Sequence, residues 1–149
     1  QTETIKRFRA DLKATAHAAQ ALSWLRGPKC VASSSGVDRI RTSLATTGLL
    51  QYFEPYLFSA SEVPQGKPAP DLFLHAAAKM RVEPKHCIVV EDSPVGVAAG
   101  VAAGMRVVGF VGGSHAGAAL ADHLRRAGAT AVITDMRALK GTVIDLRGW

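Results

Sequence analysis

Three small groups of polar residues each follow an apolar, β-like run: Ser33-Ser34-Ser35 after "KCVA", Lys67 in the proline-fixed irregular loop "VPQGKPAP" after "YLFSA", and Glu91-Asp92 after "CIVV". Hydroxyls and the backbone N–H groups at a helix start suit phosphate oxygens, and so does a lysine ammonium. Adjacent carboxylates suit a hard cation such as Mg²⁺, which takes oxygen ligands and bridges to phosphate. Ser33, the backbone of Ser34 and Lys67 are therefore expected on phosphate. Glu91 and Asp92 are expected to share a metal, which would let two negative charges stand side by side. Each group also has a plainer explanation. Three serines can be a helix N-cap, Lys67 a solvated turn residue, and Glu91-Asp92 acids favoured by a helix dipole.

Two familiar motifs do not fit. "GKP" is not a Walker A loop, because Ser61 stands where the first glycine belongs and Pro68 replaces the Ser or Thr. "SSSG" lacks the G-x-S-x-G spacing of a nucleophile elbow.

The elements that would position these residues follow from periodicity. Ile5, Phe8, Leu12, Ala16, Ala19, Leu22 and Leu25 recur at helical spacing, which predicts one or two amphipathic helices ending at Gly27-Pro28. "KCVAS", "PYLFSA", "HCIVVE", "MRVVGF" and "TAVIT" read as strands. Helices are expected over "SGVDRIRTSLATTG", "DLFLHAAAKM", the segment opened by Ser93-Pro94, and "AGAALADHLRRAG", with "DMRALKG" a closing helical turn. Strands alternating with helices imply a doubly wound α/β fold on a parallel sheet. In such sheets ligands bind beyond the carboxyl ends of the strands, where all three polar groups fall.

Composition excludes other classes. The window "PVGVAAGVAAGMRVVGFVGG" carries Arg106 near its middle, which is costly in lipid, so no membrane association is expected. Cys30 and Cys87 lie in separate apolar runs without CxxC spacing, the pattern of buried, reduced thiols in a cytoplasmic protein. The net charge of +6 comes from scattered Lys and Arg without interleaved aromatics, so no nucleic-acid partner is expected.

In order and spacing, "VASSS", "GKPAPDLF" and "VVEDSPVGVAAGVAAGM" resemble the second, third and fourth motifs of the haloacid dehalogenase superfamily. They look most like its beta-phosphoglucomutase-like branch of phosphatases and mutases. The resemblance implies a Rossmann-like core and Mg²⁺-dependent phosphoryl transfer through an aspartyl-phosphate, on a small phosphorylated metabolite such as a sugar phosphate. Carried over residue by residue, Ser33 and Lys67 would hold the transferring phosphoryl group. Asp92 would be a Mg²⁺ ligand, and Glu91 would support the metal directly or through water. A sugar-phosphate mutase, or a non-catalytic domain binding phosphate or a partner in the same crevice, are the alternatives.

The family's first motif, an Asp-x-Asp segment on the first strand that supplies the nucleophile, has no counterpart: no Asp-x-Asp occurs in the sequence. Residues 1–27 resemble the helical segment leaving a cap domain, and residues 28–149 the core domain. The core is thus expected to lack its first central strand, leaving a gap between the strands of Cys30 and Cys87. A missing N-terminal segment or another chain is expected to complete the sheet, because unpaired central edges are unfavourable. The chain is accordingly read as a fragment inactive alone.

Overall fold

The computed structural model describes residues 3–6, 17–112 and 117–146, with side chains from residue 17 onward. Among the described residues six strands form one parallel sheet in the order β3-β2-β1-β4-β5-β6. They are β1 (Glu3–Lys6), β2 (Lys29–Ser33), β3 (Leu57–Ser59), β4 (Cys87–Glu91), β5 (Arg106–Phe110) and β6 (Ala131–Ile133). The described helices are α1 (Ala18–Trp24), α2 (Val37–Thr46), α3 (Asp71–Met80), α4 (Pro94–Ala102), α5 (Gly117–Ala127) and α6 (Leu139–Leu146).

Strands β2, β4 and β5 are buried on both faces along nearly their whole length, so their sequences run apolar rather than alternating. Successive side chains still point to opposite faces and divide the core in two. Val31, Ile88, Val90 and Val108 face α1, α2 and α6, where they meet Leu22, Ile40, Leu44 and Val143. Cys30, Cys87, Val89 and Val107 face α3, α4 and α5, where they meet Phe73, Ala76, Val97 and Leu124. This is the doubly wound α/β arrangement that the strand–helix alternation implies.

The N-terminal segment departs from expectation. The space between β2 and β4 is not empty: Glu3–Lys6 lie in it, with Ile5 level with Cys30 on one side and Val89 on the other. The central strand that was expected to be missing thus comes from the chain itself. The physical reason is backbone hydrogen bonding. A helix would satisfy this segment's own amides but leave two apolar edges unpaired, whereas one strand here satisfies a ladder on each side. Thr4 and Ile5 are β-branched and suit the strand. Of the expected N-terminal helices, α1 is present, with Ala18, Ala21, Leu22 and Leu25 as its buried face and Ala19 exposed. Phe8, Leu12 and Ala16 lie outside the described residues.

Cys30 and Cys87 are buried thiols, not a disulfide, on strands separated by β1. The closing turn is also longer than expected. α6 runs through Gly141 because Leu139 and Val143, four residues apart, are both buried against the sheet. Arg106 at the start of β5 donates to the carbonyl of Leu146 and so satisfies an end of that helix. Among the described residues no helix is long and apolar enough to cross a membrane.

Candidate active site

All six strands are parallel, so the ends of β2 and β4 open on the same edge of the sheet. Ser33 closes β2 and is buried, while Ser34 is exposed in the loop that follows. The Ser33 hydroxyl accepts a hydrogen bond from the Ser35 N–H at 3.1 Å. The N-cap of α2 is Gly36, with no side-chain capping bond. The three serines are therefore not consumed as a helix cap, which removes the plainer reading of "SSS".

Lys67 reaches this edge from the loop between β3 and α3. That loop is braced by a backbone bond from the Ala69 N–H to the Gly66 carbonyl at 3.0 Å, and by the Gln65 N–H donating to the Asp71 side chain at Oδ2, 3.3 Å away. The lysine side chain is only 4% exposed, so it is no solvated turn residue. Its ammonium donates to Glu91 Oε2 at 2.7 Å and lies 3.4 Å from the Ala32 carbonyl, one residue before Ser33. On a further side it stands 4.9 Å from the centre of the Phe73 ring, within cation–π range.

Glu91 ends β4 with its side chain wholly buried. A buried carboxylate needs both a counter-charge and hydrogen bonds. Lys67 supplies the first, and the Ser93 hydroxyl lies 3.4 Å from Oε1. That hydroxyl also accepts from the Gly96 N–H at 3.1 Å, capping α4, and Pro94 occupies the first helical turn. A Cβ on Gly96 would stand 2.0 Å from Glu91 Oε1, so this helix position must be glycine for the carboxylate to lie where it does. Glu91 is thus a buried counter-ion rather than an acid placed at a helix start to face solvent.

Asp92 follows on the loop into α4 and is half-buried at the same edge. Its carboxylate is a hard oxygen donor of the kind Mg²⁺ takes. Mg²⁺ sites commonly use one or two carboxylates, with waters and substrate phosphate completing the shell. The donor chemistry therefore fits Mg²⁺ through Asp92. It fits less well through Glu91, whose two oxygens already meet Lys67 and Ser93. Among the described residues no group of three or more His, Cys, Asp or Glu gathers.

Lys67, Glu91 and the Ala32–Ser33 strand end are thus brought together, with Asp92 beside them in sequence at the same edge. Two contributors carry no signal that sequence spacing could isolate. Phe73 is one of several apolar residues in "DLFLHAAAKM", and nothing in that pattern says which ring faces a cation. Gly96 belongs to a glycine series explicable by helix–sheet packing alone, and only the geometry shows a carboxylate against it.

A family profile of haloacid dehalogenase-like hydrolases matches residues 3–104. The chain belongs to that family. It is 35% identical over 115 residues to 6-phosphogluconate phosphatase of Escherichia coli K12, covering 77% of this chain and 52% of that protein. It is 43% identical over 113 residues to beta-phosphoglucomutase of Mycobacterium tuberculosis, covering 73% and 42%. Among solved structures, a haloacid dehalogenase-like protein of unknown function from Agrobacterium tumefaciens superposes with a TM-score of 0.84 at 40% identity, over 92% of this chain and 63% of that one. A HAD family hydrolase from Deinococcus radiodurans, with bound phosphate and sodium, superposes with a TM-score of 0.79 at 32% identity, over 91% and 61%. The chain thus spans about half the length of these curated relatives.

Proposed function

We propose that the crevice at the ends of β2 and β4 is the phosphoryl-binding part of a Mg²⁺-dependent phosphatase acting on a small phosphorylated metabolite such as a sugar phosphate, and that this chain is a fragment of that enzyme, inactive alone. The observation that carries this reading is the buried Lys67 ammonium, fixed 2.7 Å from Glu91 at the strand edge where Ser33 ends β2. The phosphatase and mutase names of the relatives, and the phosphate bound by the Deinococcus protein, support the same chemistry. Lys67 and the Ser33 hydroxyl, with the Ser34 N–H, bind the phosphoryl oxygens. Glu91 holds the Lys67 ammonium in place. Asp92 holds the metal, which when bound would neutralise charge on the phosphoryl group. In this reading Glu91 acts on the metal at most through water.

A sequence without Asp-x-Asp supplies no family nucleophile, so phosphate binding without turnover is proposed for this chain. That same absence favours the second reading, a non-catalytic phosphate-binding domain. Titration with inorganic phosphate in Mg²⁺, followed by amide NMR, tests the site. The expected result is saturable shifts at Ser33, Ser34 and Asp92 that vanish in Lys67→Ala. No saturable response in the wild-type chain contradicts the proposal. Hydrolysis of a phosphomonoester by the same sample would instead overturn the claim that turnover is absent.

A further inference from the structure

Lys67 carries a positive charge in a nearly dry environment, and its partners come from different directions. Glu91 Oε2 takes one side at 2.7 Å and the Ala32 carbonyl another at 3.4 Å. The face of Phe73 lies 4.9 Å from the ammonium, where water would otherwise solvate it. Phe73 is fully buried in the first turn of α3, six residues beyond Lys67, with Leu72 and Ala76 packed in the same core. A ring locked by packing cannot move away, so its negative face is a fixed feature of the site.

We propose that Phe73 is a positioning residue for the phosphate site. Its ring face holds the Lys67 ammonium at the β2–β4 edge, keeping the charge directed at a phosphoryl group instead of collapsing wholly onto Glu91. The proposal rests on the phosphate reading of the crevice but adds a role that neither charge pairing nor packing requires. A purely structural Phe73 would need only volume. A positioning Phe73 needs electron density on its face.

Replacing Phe73 by 4-fluoro- and then 3,4,5-trifluorophenylalanine separates these roles, because fluorine drains the ring face while nearly keeping its size. The probes are inorganic phosphate affinity in Mg²⁺, the NMR order parameter of the Lys67 side-chain ammonium, and the melting temperature. The expected result is graded. Phosphate binding weakens by about threefold or more at three fluorines, in the range of a desolvated cation–π contact, and the Lys67 order parameter falls in step. The melting temperature stays within about 2 °C, since apolar burial is unchanged. Unchanged phosphate affinity and unchanged Lys67 order in the trifluoro protein would overturn the proposal. If wild type binds no phosphate, the phosphate reading fails by itself. The Lys67 order parameter then decides on Phe73 alone: a fall supports the positioning role, and no change rejects it.

Discussion

Gly96 and Gly100 sit one helical turn apart on α4, and both bring the helix close to the sheet. What each one meets differs. A Cβ on Gly96 would meet the Glu91 carboxylate, whereas a Cβ on Gly100 would stand 2.7 Å from Val107 Cγ2 and 3.4 Å from Val89 Cγ2. The first glycine makes room for a buried charge and the second for apolar packing. One repetitive Gly-Ala-Val helix thus serves the site at its first turn and the core at its second.

The largest effect should come from breaking the charge pair that Gly96 accommodates. Lys67→Met leaves the buried Glu91 carboxylate uncompensated and is expected to cost about 3–5 kcal/mol in urea unfolding. Adding Glu91→Gln should recover more than half of that loss, because a neutral amide in the same cavity needs no counter-charge. If Lys67→Met alone unfolds at the wild-type midpoint, the pair does not carry buried charge.

Next comes Gly96→Ala. The new methyl group must push the Glu91 carboxylate away from Lys67, costing about 1–3 kcal/mol as overpacking and disturbing the site as well. Gly100→Ala should be milder. Its clash with Val107 is partly offset by about 1 kcal/mol of improved helix propensity, leaving a net loss near 1 kcal/mol by thermal unfolding. A larger loss at Gly100 than at Gly96 would invert the comparison.

The smallest effect lies far from both glycines. Asp135 caps the turn before α6 and forms side-chain hydrogen bonds with Arg137, which lower its pKa from 3.8 to about 2. A carboxylate whose folded pKa is depressed contributes stability that is present above its unfolded value and lost as pH falls through the folded one. The difference in melting temperature between wild type and Asp135→Asn should therefore be steady above about pH 4 and shrink toward pH 2. A difference that grows on acidification would contradict the assignment.

How much of this was legible in the sequence depends on the range of the interaction. The strands and helices from Lys29 to Phe110 follow from local patterns: apolar runs, the Ser93-Pro94 helix start, and acid and base at the two ends of α3. The positions of Ser33, Lys67, Glu91 and Asp92 at one edge follow from parallel topology. Residues 3–6 were misread because helical periodicity is a local signal, while pairing with β2 and β4 is a demand made by strands far away in the chain. The partners of Lys67 were equally hidden. Spacing places a lysine near a crevice but cannot say that a carboxylate, a carbonyl and a ring surround it.

The most direct test of the central claim, that α4 divides into a site-bearing first turn and a packing second turn, is inorganic phosphate affinity in Gly96→Ala and Gly100→Ala at equal Mg²⁺. Displacing Glu91 releases Lys67, so Gly96→Ala should weaken phosphate binding by about tenfold or more, as expected for a lost charge-assisted contact. Gly100→Ala should bind phosphate like wild type despite its lower melting temperature. Equal losses in both variants, or wild-type affinity in Gly96→Ala, would contradict the account.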